Sequence, residues 1–323
     1  MEWYWIVLIV LGGAAFLCAL YVVVAAVVAK GTLKSATTPV AHTLDEAREF
    51  QSQYENVNYA DYDTVWRKQS FEVDGTHGKV RGEVIFNPAC GDRPKVAVIC
   101  HGHTWNRINS LKYAAIFYKL GYHAVIYDHA YFGLSDGNFT SLGYYERYDL
   151  SSVLDYVRGI FGKDAMVVLH GESMGAVTVL CELSLRRDLA AVIADCAFSN
   201  TFVYYRELCV KATHLPGFPV VDISNVMSKR KYGYDFAKVN PIDDVRSSDV
   251  PVCFIHGAAD KFISPSHSED MYLASPSPDS ELHIVPSAGH ARSYHADPVG
   301  YERILTEFLS KTERRSQQGQ NSD

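Results

Sequence analysis

Between Trp3 and Ala29 the chain has no charged residue, and no lysine or arginine comes before that run. This stretch exceeds the roughly 20 residues needed to cross a hydrocarbon core. A cleavable signal peptide has a basic start and a shorter apolar core. Here the only early charge is Glu2, which argues against one. Trp3, Tyr4 and Trp5 mark one interface and Lys30 and Lys34 the other. Lys30, Lys34 and Arg48 follow the span, so the positive-inside rule predicts a cytoplasmic body. The chain also lacks a basic stripe and carries a net charge of −7, which argues against nucleic acid as a partner. Its seven cysteines form no disulfide or metal framework. Cys18 lies in the span, and Cys90, Cys100, Cys181, Cys196, Cys209 and Cys253 sit mostly in apolar strands or helices, as small core residues do. No further histidine motif or carboxylate cluster joins His101 and His103, so neither a metal nor an organic cofactor is expected.

What is present is enough apolar material, 48% of 323 residues, for one large core. Short apolar runs alternate with helical stretches from Lys95 to Leu309. That pattern predicts an α/β fold with a mostly parallel central sheet and helices on both faces. Residues 70–73 and 79–86 read as an antiparallel entry hairpin around Asp74-Gly75. The expected organisation is a transmembrane anchor over 1–30, a polar, partly helical stalk over 31–65, a catalytic body over 66–311 and a disordered tail over 312–323. An insertion over about 199–249 is expected to form a lid, with Tyr204, Tyr205, Phe218 and Tyr234 as candidates for the lining of an acyl pocket.

Gly171-Glu172-Ser173-Met174-Gly175 is the most informative segment. An apolar strand precedes it and an apolar helix follows, so Ser173 sits on a sharp strand-to-helix turn. The Met174 N–H lies at the start of that helix, aimed at charge developing beside the serine. A serine needs a base, and in this architecture the order is nucleophile, acid, histidine. Asp260 follows the strand ending at His256-Gly257, and His290 follows the strand 281–286. His295 is the rival base and Asp195 the rival acid. Asp128 precedes Ser173 and reads as structural. His101, His170 and His256 read as turn residues or supports of the site, and His283 as a strand residue. The second oxyanion donor is expected in the loop His101–Asn106, from the His103 N–H, with Thr104 as the alternative.

Taken together, His101-Gly102-His103-Thr104-Trp105-Asn106, the 171–175 elbow, His256-Gly257-Ala258-Ala259-Asp260 and Ala288-Gly289-His290 resemble the bacterial, often membrane-anchored branch of the alpha/beta hydrolases. Residues 127–135 resemble it too, with Ala130 where arginine is usual. The resemblance implies a serine hydrolase with Ser173, Asp260 and His290 as its triad. The substrate would be a small ester, thioester or peptide. An aminopeptidase-like enzyme is the alternative; it needs a carboxylate for the substrate ammonium, with Glu172 and Asp195 as candidates. A catalytically silent, membrane-tethered interaction module is the alternative of a different class.

Overall fold

A computed structural model of the protein describes residues 2–52, 59–214 and 216–320. Stalk residues 53–58, Leu215 of the insertion and the last three residues of the expected tail lie outside the described residues. Eight strands form one sheet: β1 Arg67–Gly75, β2 Gly78–Phe86, β3 Lys95–Cys100, β4 His123–Tyr127, β5 Met166–Glu172, β6 Ala191–Asp195, β7 Val252–Gly257 and β8 Glu281–Val285. Their order is β1-β2-β4-β3-β5-β6-β7-β8. The β1–β2 hairpin and the β2–β4 pair are antiparallel, and every pairing from β4 to β8 is parallel. The apolar strand runs are explained by burial on both faces. In β3, Val96, Val98 and Cys100 enter one core while Ala97 and Ile99 enter the other.

The helices are α1 Trp3–Thr37, α2 Leu44–Ser52, α3 Leu111–Lys119, α4 Glu146–Phe161, α5 Met174–Glu182, α6 Thr201–Thr213, α7 Gly217–Tyr232, α8 Pro241–Arg246, α9 Ser266–Ala274, α10 Ser293–Ala296 and α11 Pro298–Gln320. Helix α4 buries Leu150, Val153, Leu154 and Val157 in the first core, a spacing that puts them on one face. Helix α11 does the same in the second core with Tyr301, Leu305, Phe308 and Leu309. Helix α5, under the elbow, is buried along its whole length.

Two expected boundaries are corrected. Residues 31–52 do not form a free stalk. Helix α1 continues to Thr37, and Leu33, Ala36 and Thr37 are buried against the body. Beyond it, the Thr140 N–H donates to the Thr37 carbonyl at 2.8 Å, and the Tyr131 hydroxyl to the Pro39 carbonyl at 2.6 Å. His42 stacks on Trp105 with centroids 4.2 Å apart. These contacts satisfy polar backbone that a free stalk would leave to water. The tail is also structured through Gln320, because Thr312 is buried and Glu313 accepts from Tyr122 Oη at 2.7 Å and Lys95 Nζ at 3.1 Å.

Helix α1 is long and apolar enough to cross a membrane, and no residue of its most apolar window is buried among the described residues. Its second half packs beside α7 in the same direction. Tyr21 Oη donates to the Phe218 carbonyl at 3.0 Å, Ser224 Oγ to the Ala29 carbonyl at 3.2 Å, and Thr37 Oγ1 lies 3.3 Å from Tyr232 Oη.

Candidate active site

The elbow is strained, and its glycines explain how it forms. Ser173 has φ 56° and ψ −114°, a left-handed conformation that a side chain rarely adopts. A Cβ on Gly171 would lie 2.2 Å from the Gly175 carbonyl oxygen, and one on Gly175 would lie 2.2 Å from that of Cys100. Only hydrogen at these two positions lets β5 turn into α5 beside β3. The Ser173 N–H is fixed by the Asp195 carbonyl at 2.8 Å, which leaves the hydroxyl projecting above the sheet.

Ser173 Oγ is 2.9 Å from His290 Nε2. His290 Nδ1 is 2.7 Å from Asp260 Oδ2. The fold thus brings together residues 117 and 30 positions apart, each from a loop at the carboxyl end of a parallel strand. Asp260 Oδ1 accepts from the backbone N–H groups of Phe262 and Ile263 at 2.8 and 2.9 Å. His256 Nε2 lies 3.3 Å from Oδ2. Burial acts to raise the Asp260 carboxyl, but hydrogen bonds from His256 and His290 outweigh it and hold the group well below the usual carboxylate range. An ionised Asp260 can only accept, so His290 donates to it through Nδ1, the tautomer whose neutral ring leaves Nε2 as an acceptor facing Ser173.

The rivals lie elsewhere. His295, on α10, faces the Lys112–Glu172 pair, and burial followed by the Lys112 charge pushes its pKa down to about 4. Asp195 is buried, accepts from Ser293 Oγ at 2.9 Å, and is pushed up to about 6 by burial and then by Glu172. Asp128 is occupied by Arg107 and by the N–H groups of Arg107 and Leu134 at 2.7 and 2.9 Å. Glu172 is buried and accepts from Lys112 and Tyr113, each at 2.6 Å, and from Asn109 at 2.9 Å. It locks the elbow to the segment that follows the His101–Asn106 loop.

His103 and Met174 both line the cavity beside Ser173. Met174 is the first residue of α5, so its N–H has no acceptor within the helix. The His103 ring is held neutral by burial, and its Nε2 lies 2.9 Å from the Ala36 carbonyl of α1. Thr104, the alternative donor, has φ 71° and does not line the cavity. Cys196 offers its sulfur within 4.8 Å of donor atoms of Asp260 and His290. Burial pushes that thiol far up, and nearby carboxylates push it further, so it stays protonated and poorly suited to hold a cation.

The cavity over Ser173 measures about 400 Å³. One wall is α6, through Tyr204, Tyr205, Leu208, Cys209, Ala212 and Thr213. The facing wall is α1, through Gly31, Thr32, Ser35 and Ala36, and Phe262 and Ile263 close the side towards His290. Among the described residues that line it, none carries a carboxylate, ammonium or guanidinium. Tyr204 and Tyr205 are where a pocket lining was expected. Phe218 instead lies exposed on the surface, and Tyr234 is buried between Tyr144 and Phe236. The α1 residues were not legible as site residues, because their signal is that of a helix leaving a membrane.

A mostly parallel sheet with a strained serine turn and a histidine–carboxylate pair after its last strands defines a hydrolase class. A family model described as serine aminopeptidase, S33, matches residues 91–218. The uncharacterized protein YqkD of Bacillus subtilis is 34% identical over 248 residues, 75% of this chain and 79% of that one. YfhR of Escherichia coli K12 is 24% identical over 253 residues, 76% of this chain and 81% of that one. Among solved structures, the Pyrococcus furiosus esterase Pf2001 superposes with TM-score 0.63 at 20% identity, covering 79% of this chain and 96% of that one. Est1E of Butyrivibrio proteoclasticus, with ferulic acid bound, gives TM-score 0.58 at 16% identity, covering 76% and 99%. The chain belongs to the alpha/beta hydrolase superfamily.

Proposed function

We propose that the protein is a serine hydrolase that cleaves carboxylic ester or thioester bonds through an acyl-enzyme on Ser173. The observation that carries this reading is the continuous line of Ser173 Oγ, His290 and Asp260 at the floor of an apolar cavity. Ser173 attacks the acyl carbonyl while His290 Nε2 takes its proton. The Met174 and His103 N–H groups hold the oxyanion. His290 then protonates the leaving oxygen or sulfur, and a water activated by the same nitrogen releases the acid. Asp260 keeps the Nδ1 proton in place and stabilises the imidazolium.

An aminopeptidase needs a buried or cavity-facing carboxylate for the substrate ammonium. Glu172 is committed to Lys112, Tyr113 and Asn109, and neither Glu172 nor Asp195 lines the cavity, which favours the ester reading. The ordered serine–histidine–aspartate line counts against a silent interaction module. Helix α1 anchors the protein in this proposal, and Lys30, Lys34 and Arg48 favour a cytoplasmic body.

The deciding experiment is fluorophosphonate labelling and p-nitrophenyl butyrate turnover of full-length protein, with Ser173→Ala as comparison. The variant is expected to stay folded and lose both signals. Undiminished labelling of Ser173→Ala would place the nucleophile elsewhere.

A further inference from the structure

The cavity wall contributed by α1 ties the site to the anchor. If Trp3–Trp5 occupy one interface, about 20 residues of hydrocarbon-spanning helix run from Ile6 to Ala25. Gly31, at the cavity rim, then lies about 9 Å further along the axis, at the outer edge of the headgroup layer. The side of α1 away from the lid supports this depth, since Val23 and Val27 are exposed there, Val27 at 69%. On the opposite side, Ala25 and Ala29 are buried in contact with the lid, and Phe218, exposed at 69%, sits level with Tyr21. The lid therefore overlaps the exposed valines along the helix and presents Phe218 at that depth, beside the half-exposed Arg206–Asp222 ion pair.

From that rim the cavity follows α1 inward. Gly31 and Thr32 lie at the outer end, and Ala36 is at the inner end beside His103. On the other wall, α6 residues from Thr213 back to Tyr204 span about 13 Å. The result is one uncharged channel from the bilayer surface to the serine.

We propose that the substrate is a long-chain acyl ester drawn from the same bilayer that holds α1, with its chain lying between α1 and α6 and its carbonyl at Ser173. The inference rests on the acyl-enzyme and anchor readings above and names their substrate class. Ser173 Oγ bonds to the acyl carbon, and the bond to the headgroup oxygen breaks. The serine proton passes through His290 to that oxygen, and water then releases a free fatty acid and the headgroup alcohol.

The test uses full-length protein reconstituted in phosphatidylcholine vesicles. Each buried methylene is worth roughly fourfold in binding. Since the chain is gripped in the transition state too, p-nitrophenyl laurate should exceed the butyrate in kcat/KM by about a hundredfold or more. Cys209→Trp and Thr32→Phe, which fill the channel from opposite walls, should each lower that ratio by about tenfold or more. Lauroyl lysophosphatidylcholine in the vesicles should release laurate. Three results overturn the proposal: equal laurate and butyrate rates, a ratio that neither variant changes, or no laurate release from the lysolipid while p-nitrophenyl laurate is hydrolysed. Loss of butyrate turnover and of fluorophosphonate labelling in the unaltered protein would instead remove the acyl-enzyme reading on which the proposal rests.

Discussion

Replacing Asp260 with asparagine tests the proposed mechanism at its most specific point. The carboxylate has two unlike ends. Oδ1 accepts two backbone N–H groups, from Phe262 at 2.8 Å and Ile263 at 2.9 Å. Oδ2 faces His290 Nδ1 at 2.7 Å and His256 Nε2 at 3.3 Å. An asparagine must keep its oxygen on the two amides, because its NH₂ group cannot accept from them. The NH₂ group then faces His290 and donates to Nδ1. That moves the imidazole proton to Nε2, the nitrogen 2.9 Å from Ser173 Oγ, where a proton must be accepted. The serine keeps its proton and kcat should fall about ten-thousandfold, as expected for the wrong tautomer. The new donor also opposes His256 Nε2, so stability should fall by about 1–3 kcal/mol. Steady-state turnover of p-nitrophenyl butyrate and a thermal melt separate the two effects. A folded Asp260→Asn protein with kcat within tenfold of the unaltered enzyme would refute the assigned roles.

Lys112→Met should destabilise the protein by about 3–5 kcal/mol in denaturant titrations, because it leaves the buried Glu172 charge without its cation. The double change Lys112→Met/Glu172→Gln should recover much of that loss, and no recovery would show that packing rather than charge is responsible. Glu182 is pushed up to about 8, chiefly by burial, from an ordinary value of 4.5. Between those values the unfolded chain releases a proton that the folded protein keeps, so this group lowers stability as pH rises from about 4.5 to 8 and contributes no further change above. Melts across that range should show a shallower decline for Glu182→Gln, and an identical pH slope would exclude the assignment. The full-length protein should stay in the membrane fraction after alkaline carbonate extraction, and protease added to intact cells should spare the body. Removal of the body under those conditions would reverse the proposed orientation while leaving the anchor in place.

Local signals in the sequence were enough for the sheet, the turn and the candidates around it. Strands buried on both faces must be apolar throughout, and an elbow as tight as 171–175 excludes side chains at Gly171 and Gly175, so both leave a local trace. The order of strands in the chain pointed to Asp260 and His290, because in a parallel sheet each strand delivers its following loop to the same edge. What is decided between distant segments could not be read this way. Thr38–Ser52 looks like a polar connector, yet its backbone is satisfied by Tyr131 and the loop carrying Asn106. Glu172 looks available for a substrate ammonium until Lys112, 60 residues away, is placed against it. The second half of α1 has the composition of a membrane helix, and only its packing on α7, nearly 200 residues later, shows that it also walls the cavity over Ser173. Hydrophobic periodicity records how much of a helix is hidden, not which partner hides it. The pairing of α1 with the lid is a property of the assembled fold.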